Sequence, residues 1–301
     1  MSLKNFLITG GTGFIGLDLC RQLSGTGASL TVLSRREGSA ATSLPEGTRI
    51  IGSLAELDAD DRFDAVINLA GESIAGARWT ARRKALLEAS RIGITDALLG
   101  WMASARHKPR VFLSGSAIGF YGDQGDQPLT EESPANPDYA HALCRRWEQA
   151  ATAAQASGIR TIIVRIGLVA GAKGGFLKQM APPFYIGAGG KIGSGAQWMS
   201  WIHKRDLINM MLFLLHQPEA QGVFNGTAPE PVTNKVFAQT LGRALHRPAW
   251  LPAPAIAFKL AFGEMAELLL TGQRVLPTRA LAAGFQFEYP TLKQALAEIY
   301  A

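Results

Sequence analysis

Cysteine is scarce in this 301-residue chain, and its scarcity disfavours two classes of protein. The chain holds only two cysteines, Cys20 and Cys144, and neither belongs to a C-x-x-C pair or a Cys/His cluster. A disulfide-stapled secreted fold and a zinc site both need more sulfur ligands than this sequence supplies. We therefore expect a metal-free protein of the reducing cytoplasm.

Charge is also low, at 18% Asp, Glu, Lys and Arg against a usual level of about 25%. The net charge of +6 comes from 30 basic and 24 acidic side chains, and the densest basic run, residues 82–84, is soon followed by Glu88. This distribution disfavours a groove for nucleic acid, whereas an anionic small molecule could use part of the charge.

Long uninterrupted apolar runs are missing as well. The first nine residues lack the apolar segment of a signal peptide, and the most apolar late stretch, residues 256–270, is broken by Lys259, Glu264 and Glu267. We expect neither a secretion signal nor a membrane partner.

Hydrophobic residues at 47% and 33 glycines indicate a chain with a large core and many tight turns. Short apolar runs alternate with segments whose apolar residues recur at helical spacing, which is typical of βαβ units. The fold class is therefore predicted as α/β: a Rossmann-like doubly wound parallel sheet with a smaller C-terminal substrate-side domain. The predicted strands are residues 5–9, 29–34, 65–69, 110–114 and 161–166, and the predicted helices are 14–24, 82–104 and 139–156.

The second half of the chain begins with a segment rich in glycine. Residues 171–195 contain eight glycines, too many for a regular element and more typical of loops that line a ligand. A helix at 206–216 and a short strand at 222–225 follow. We predict a dinucleotide-binding domain over residues 1–230, with substrate-side loops from about 171, and a small helical domain over residues 245–301.

A glycine loop follows the first predicted strand and opens the first helix. In the sequence Thr9-Gly10-Gly11-Thr12-Gly13-Phe14-Ile15-Gly16, glycines recur every third residue. The first permits a tight turn, the second a close approach to a pyrophosphate and the third close packing of helix on strand, while the helix N-terminus offers free N–H groups. The loop predicts a dinucleotide site. The cofactor contacts predicted here are Gly10, Gly13, Phe14, Ile15 and Gly16.

The end of the second strand indicates which dinucleotide binds. NAD enzymes of this fold usually place Asp or Glu there, where the carboxylate binds the ribose 2′-hydroxyl and repels a 2′-phosphate. This chain has Ser34, Arg35 and Arg36 instead. Because guanidinium binds phosphate through a planar fork, we predict NADP (NADPH) as the cofactor; alternatively, one or both arginines belong to a solvated turn.

These motifs resemble the extended short-chain dehydrogenase/reductase superfamily, whose loop pattern T-G-G-x-G-x-I-G is matched by residues 9–16. More narrowly, they look like the atypical "epimerase family" subgroup, the sugar-nucleotide epimerase-like proteins with a short C-terminal domain of unknown function. The resemblance spans nearly the whole chain. Its further motifs are residues 68–71 (Asn-Leu-Ala-Gly), 70–74, 78–79, 113–117, 121–122, 144–148, 192–195, 201–203 with Asp206, 272–277 and 284–285.

The resemblance implies further cofactor contacts and a catalytic pair. In the superfamily, a Ser orients the substrate oxygen and a Tyr passes the proton, while a Lys four residues later lowers the pKa of the Tyr. Ser116 and Tyr139 match the Ser and Tyr, but Leu143 stands where the Lys should be, and Arg91 stands near the place of a further Asn. The cofactor contacts implied by the resemblance are Asn68, Leu69, Ala70 and Gly71.

Each catalytic candidate has an alternative interpretation. Ser116 could instead cap a strand end, and Tyr139 could be an aromatic residue at a helix start. His141 and Cys144, three apart on one predicted helix, could form an acid/base pair, or they could be packing residues. Glu148 could be an acid near the site. We favour the alternative, in which Glu148 and the neighbouring Trp147 hold this helix against the glycine-rich segment.

Substrate contacts are predicted in the second half of the chain. An aromatic residue beside glycines suits a sugar or nucleotide face. By resemblance, His203 and Asp206 lie beside the cleft; the alternative makes them polar residues of a helix N-terminus. The predicted substrate residues are Gly193, Gln197, Trp198 and His203.

Two hypotheses of function follow. The first is an NADP-dependent oxidoreductase or epimerase-like enzyme for a small, nucleotide-linked substrate, and the second is an NADP-binding sensor or scaffold that has lost the chemistry. The missing lysine favours the second, whereas Ser116 and Tyr139 favour the first. The resemblance also implies a homodimer, because extended members commonly pair through the two helices that are 82–104 and 139–156 here, and an apolar stripe supports it. The stripe consists of Leu86, Leu87, Ile94, Leu98 and Trp101.

Overall fold

A seven-stranded parallel sheet organises the computed structural model, which describes residues 3–35 and 37–301. Its strand order is β11-β7-β5-β4-β1-β2-β3, and every neighbouring pair runs parallel. The predicted Rossmann-like doubly wound fold is thereby confirmed. The strands of the described residues are β1 (Asn5–Thr9), β2 (Ser29–Leu33), β3 (Arg49–Ile51), β4 (Ala65–Asn68), β5 (Val111–Ala117), β6 (Pro128–Leu129), β7 (Arg160–Ile166), β8 (Leu168–Ala170), β9 (Trp198–Met199), β10 (Trp201–His203), β11 (Gly222–Gly226), β12 (Val232–Thr233) and β13 (Arg274–Val275).

Helices cover both faces of the sheet and form most of the C-terminal segment. Across the described part of the chain, none of them is both long and apolar enough to cross a membrane. The α-helices are α1 (Gly16–Gly25), α2 (Glu37–Ser43), α3 (Ala81–Glu88), α4 (Ile94–Ser104), α5 (Tyr139–Thr152), α6 (Leu177–Met180), α7 (Pro182–Tyr185), α8 (Lys204–His216), α9 (Asn234–Ala244), α10 (Ala255–Phe262), α11 (Glu267–Leu270), α12 (Thr278–Ala282) and α13 (Leu292–Ile299).

The helix predicted over residues 82–104 is interrupted. A π-helical turn, Ala89–Gly93, separates α3 from α4. The side chains of Ser90 and Arg91 both donate to the carbonyl oxygen of Leu87, at 3.0 and 3.3 Å, and so bind a backbone group at the start of this turn. Such turns recur at functional sites because they re-aim the side chains that they carry.

The two faces of the sheet are both buried, as its parallel strands require. In β1, Phe6 and Ile8 belong to the core on one face together with Leu19 of α1. Leu7 belongs to the opposite core together with Leu98 of α4. The sheet therefore holds its strand ends rigidly between two packed helical layers.

The strand order reverses between β1 and β4. From β1 the chain first moves outward through β2 and β3, and then returns to the other side of β1 with β4. Loops that leave neighbouring strands in opposite directions open a crevice at the carboxyl ends of those strands. In this chain, that crevice lies beside the glycine loop.

The C-terminal segment shares its contacts with the rest of the chain. Strand β13 pairs with β6, and Leu292 and Leu296 of α13 are in one buried cluster with Trp201 and Phe237. This segment thus has helices, as expected, but packs into a common core. The division into domains at residues 230 and 245 stays a prediction.

Two glycines test the packing of the β1–α1 turn. A methyl group at Gly16 would overlap the carbonyl oxygen of Gly10, a backbone atom that cannot rotate away, whereas one at Gly100, exposed within α4, would meet nothing within 4 Å. We expect Gly16→Ala to lower the free energy of unfolding by about 1–3 kcal/mol. Gly100→Ala should raise it by about 0.5–1 kcal/mol. Urea unfolding midpoints measure both, and equal shifts for the two variants would contradict the close approach.

Candidate active site

A cleft of about 870 Å³ opens at the carboxyl ends of β1, β2 and β4. Its lining brings together the glycine loop, the residues after β2, the turn after β4, and residues from α2 and from α3 to α4. The lining residues are Thr9, Gly10, Thr12, Gly13, Leu33, Ser34, Arg35, Ser39, Ser43, Leu69, Ala70, Gly71, Leu86, Ala89, Ser90, Gly93, Ile94 and Ala97.

The glycine loop forms the floor of the cleft at the start of α1. Gly10 has a φ of +71°, a left-handed conformation that glycine adopts without strain, and Gly13 donates its N–H to the Gly10 carbonyl at 2.9 Å. Ile15 at the N-cap position makes no side-chain hydrogen bond to α1, and the N–H of Leu17 donates to the Gly13 carbonyl at 3.0 Å. The helix dipole and the glycine backbone at this helix start suit a bound phosphate.

Four predicted cofactor contacts lie behind the lining. The Phe14 ring packs under the Lys204 ammonium, 4.4 Å from the ring centroid, and Ile15 packs against the core. Gly16 is buried where α1 meets the loop. Asn68 is fully buried, accepts from Thr9 and donates to the hydroxyl of Thr95. These residues support the loop and the strand ends around the cleft, and their direct contact with a cofactor stays a prediction.

The residues after β2 bring a cation to the rim of the cleft. Ser34 is buried, whereas the side chain of Arg35 is 82% exposed and forms an ion pair with Glu72 at 2.9 Å. This bond lowers the pKa of the Glu72 carboxyl. Arg36 lies outside the described residues. Sequence reasoning did not single out Glu72, since it follows β4, 37 residues from Arg35.

Arg91, which stands in the sequence near the place of a further Asn, is a second cation behind the cleft. Its guanidinium donates to the carbonyl oxygen of Glu72 at 2.9 Å and packs beside Gly71, where a side chain would collide with it. Burial lowers the pKa of Arg91, although an arginine stays charged at any working pH. Arg91 lies in the π-helical turn directly after Ser90, which lines the cleft, and this turn places Arg91 behind the lining.

Ser116 is part of a buried ionic network. Its hydroxyl donates to Glu148 Oε1 at 2.7 Å, and the same carboxylate takes two bonds from Arg165, at 2.9 and 2.8 Å. Ser116 is only 3% exposed. Glu148 therefore ties α5 to β5 and β7, not to the glycine-rich segment, and the hydroxyl of Ser116 is engaged inside the protein.

Tyr139 lies in an aromatic and cationic cluster at the start of α5. Its ring contacts Trp79 at 4.9 Å between centroids, with the Lys84 ammonium 4.4 Å from the ring centroid, and its hydroxyl donates to the Lys84 carbonyl at 3.4 Å. Burial, with Glu88 adding, raises the pKa of Tyr139, and Arg91 partly offsets the rise. Leu143 is buried and supplies no charge.

His141 and Cys144 each have protein neighbours of their own on α5. His141 Nδ1 lies 2.6 Å from the Phe120 carbonyl oxygen, which holds the ring. Cys144 is buried beside Ser116, and burial raises the pKa of its thiol to about 12. A thiol with such a pKa is neither a base nor a nucleophile near neutral pH. These surroundings favour the packing alternative for both residues, and the acid/base pair stays a prediction.

The predicted substrate residues of the glycine-rich half hold the C-terminal segment. The N–H of Gly193 donates to Ala253, and Gln197 donates to the carbonyl oxygen of Leu269 at 2.9 Å. The indole N–H of Trp198 donates to Asp126 at 2.7 Å. None of these three residues is in the lining of the described cleft. Their role in substrate binding stays a prediction.

His203 anchors the C-terminal tail. Its Nδ1 accepts from the N–H of Arg205 at 3.3 Å, which leaves the hydrogen on Nε2 to donate to Glu298 at 3.1 Å. Asp206 accepts from the backbone of Glu288 and Tyr289 at 2.8 and 2.9 Å. His203 is buried, and burial lowers its pKa. These hydrogen bonds favour the alternative of a polar residue at a helix N-terminus, and the contact of His203 with substrate stays a prediction.

The apolar stripe that supported a dimer is partly buried within the described chain. The described residues contain no group of three or more His, Cys, Asp or Glu side chains that could hold a metal ion. Leu87 and Leu98 of the stripe are buried in the chain's own core, and Leu86 lines the cleft. The homodimer thus rests on the resemblance alone and stays a prediction.

Two family models match the chain. Residues 6–225 match the NAD dependent epimerase/dehydratase family, and residues 253–299 match a domain of unknown function (DUF1731). The first match covers the sheet and the cleft, and the second covers α10 to α13.

Named relatives match nearly the whole chain. An "Epimerase family protein SDR39U1 homolog, chloroplastic" of Arabidopsis thaliana is 40% identical over 97% of this chain and 85% of that protein. An epimerase family protein of Staphylococcus aureus (strain N315) is 37% identical over 99% of both chains. The crystal structure of human epimerase family protein SDR39U1 (isoform2) with NADPH is similar at a TM-score of 0.87 and 34% identity, covering 98% of this chain and 99% of that one.

The buried pair of Glu148 and Arg165 should be critical for stability. We expect Glu148→Ala to lower the free energy of unfolding by about 3–5 kcal/mol, because it leaves the Arg165 guanidinium buried without a counter-charge. Glu88→Ala is the control, since it breaks only the exposed pair with Arg146 and should cost less than about 1 kcal/mol. Denaturant unfolding compares the two, and a similar loss for both would show that the buried network is not a structural tie.

Proposed function

The chain belongs to the NAD dependent epimerase/dehydratase family, and from this premise we propose that it is an NADPH-dependent oxidoreductase acting on a small carbonyl compound. One observation carries the proposal: Ser34 and Arg35, at the end of β2, line the same cleft as the glycine loop. The loop suits the pyrophosphate of a dinucleotide, and the residues after β2 suit the 2′-phosphate of its adenosine half.

The charge at the end of β2 supports NADPH over NADH. No acid follows β2 directly, so nothing there is placed to bind a free ribose 2′-hydroxyl in the way of NAD enzymes. Arg35 offers a planar donor fork for phosphate. The crystal structure of the similar human protein contains NADPH, which supports the same choice here.

The protonation state of Tyr139 favours reduction over epimerisation. NADPH, when bound, would supply the hydride to the carbonyl carbon. The carbonyl oxygen then needs a proton, and Tyr139 holds one at neutral pH, because its pKa is raised and Leu143 takes the place of a lysine. An epimerase must first take a proton from an alcohol, for which a phenolate is needed and a protonated phenol is unsuited.

A second candidate function, an NADPH-binding sensor or scaffold, has its own support. The Ser116 hydroxyl is bonded to Glu148, and that of Tyr139 to the Lys84 carbonyl, so both superfamily groups have protein partners. NADPH consumption across a panel of carbonyl compounds separates the two functions. Turnover supports the reductase, while tight NADPH binding without turnover supports the sensor.

Arg35→Ala tests the choice of cofactor. A charge-assisted bond to phosphate contributes about 1.5–3 kcal/mol, and loss of the exposed pair with Glu72 offsets up to about 1 kcal/mol. The net of about 0.5–3 kcal/mol predicts a roughly 2- to 150-fold rise in the Kd for NADPH and almost no change for NADH. Fluorescence titration measures both.

The matched control is Arg106→Ala, which removes an exposed arginine paired with Asp60 at the amino end of the sheet. It should leave both Kd values unchanged. An equal loss of NADH and NADPH affinity in Arg35→Ala, or a wild type that prefers NADH, would refute the assignment of NADPH.

Tyr139→Phe tests the proton donor. Removing the hydroxyl should lower kcat by about 100-fold or more while the Kd for NADPH stays the same, because only the transition state loses a group. In the wild type, reduction should hold steady through neutral pH and fall as pH rises through the raised pKa of Tyr139. Normal turnover in Tyr139→Phe would remove Tyr139 from the mechanism.

A further inference from the structure

The ion pair between Arg35 and Glu72 lies at the edge of the cleft. Arg35 follows β2 and Glu72 follows the turn after β4, and β1 lies between these two strands in the sheet. Two strand spacings separate the parent strands, about 9.6 Å. The 2.9 Å contact between Arg35 Nη2 and Glu72 Oε1 therefore joins the residues after β2 to those after β4, beside the lining residue Gly71.

The two partners are held very differently. Glu72 is fixed at its backbone, since its N–H donates to the Ser90 hydroxyl at 3.1 Å and its carbonyl accepts from Arg91 at 2.9 Å. Its carboxylate is 27% exposed and also lies 3.8 Å from Arg83, which is 16% exposed. Arg35 is 82% exposed. The arginine can therefore leave the pair, whereas the carboxylate stays.

We propose that Glu72 sets the affinity of the cleft for a 2′-phosphorylated adenine dinucleotide by competing with the 2′-phosphate for Arg35. The proposal rests on the proposed function, because it assumes that NADPH binds in this cleft. It assigns to Glu72 a specificity-determining role that works through an exchange of partners. Arg35 turns from the carboxylate to the phosphate when the phosphorylated ligand enters.

The exchange costs little, which allows it to be reversible. When Arg35 leaves, the Glu72 carboxylate keeps Arg83 at 3.8 Å and is not left as an isolated anion. An exposed ion pair is weak, so the phosphate can displace it. A ligand with a free 2′-hydroxyl makes no such demand on Arg35 and leaves the pair in place. Glu72 therefore weakens the binding of NADPH and has no effect on NADH.

The direct test is Glu72→Gln, which keeps the size and the backbone contacts of the residue but removes its charge. The ligands are NADPH, NADH and adenosine 2′,5′-bisphosphate, the last carrying the 2′-phosphate without nicotinamide. We expect the Kd of both 2′-phosphorylated ligands to fall about two- to fivefold, mainly through slower dissociation, and that of NADH to stay the same. Glu219→Gln, an exposed position before β11 at the opposite end of the sheet, is the control and should change nothing.

The double variant Arg35→Ala/Glu72→Gln separates competition from simple repulsion. If Glu72 acts through Arg35, the effect of Glu72→Gln vanishes in the Arg35→Ala background. An effect that persists there, an unchanged NADPH affinity in Glu72→Gln, or an equal change for NADH would overturn the competition while leaving NADPH binding itself intact. Failure of the wild type and of Glu72→Gln to bind any of the three ligands would instead refute the proposed function, and the competition with it.

Discussion

The parallel register of β1 with β2 on one side and β4 on the other is the constraint on which the cleft depends. Thr9 pairs with Leu33 and with Asn68, so three strands end at the same level of the sheet. Because the chain leaves β1 and β4 in opposite directions, their loops cannot fill the space above these ends. The glycine loop, the Arg35 rim and the turn before Glu72 surround one cleft for that reason.

Packing around this register decides which polar groups remain free for chemistry. Asn68 binds Thr9 and Thr95, and so fixes the ends of β1 and β4 against α4. At β5, the pair of Glu148 and Arg165 binds Ser116. A buried carboxylate that is shared by a hydroxyl and a guanidinium stabilises the fold and leaves little freedom for proton transfer. The charged groups near the cleft come instead from the residues after β2 and β4, from α3 and from the π-helical turn.

Features set by neighbouring residues could be predicted from the sequence, and those set by distant residues could not. The β1 strand has its predicted bounds, and the glycine loop lies where its spacing places it, because both follow from local pattern. The π-helical turn escaped prediction because its apolar spacing reads as continuous helix. The partner of Arg35 and the tail bound by His203 depend on residues 37 and 95 positions away, which only the folded chain brings together.

The balance of charge around Tyr139 explains why the loss of one lysine has a large effect. Two cations lie near the phenol, but Lys84 is bound by both carboxylate oxygens of Glu264, at 2.7 and 2.8 Å, and Arg91 is engaged by backbone carbonyls. Glu88 acts in the opposite direction and outweighs Arg91 in its effect on the pKa of Tyr139. Because both cations are bound by other groups, burial has the largest effect on the pKa of Tyr139, and burial favours the neutral phenol. A lysine at position 143 would lie on the same helix as Tyr139 and would lower its pKa. The buried Leu143 stands there instead, so Tyr139, the proposed proton donor, keeps its proton and does not become a base.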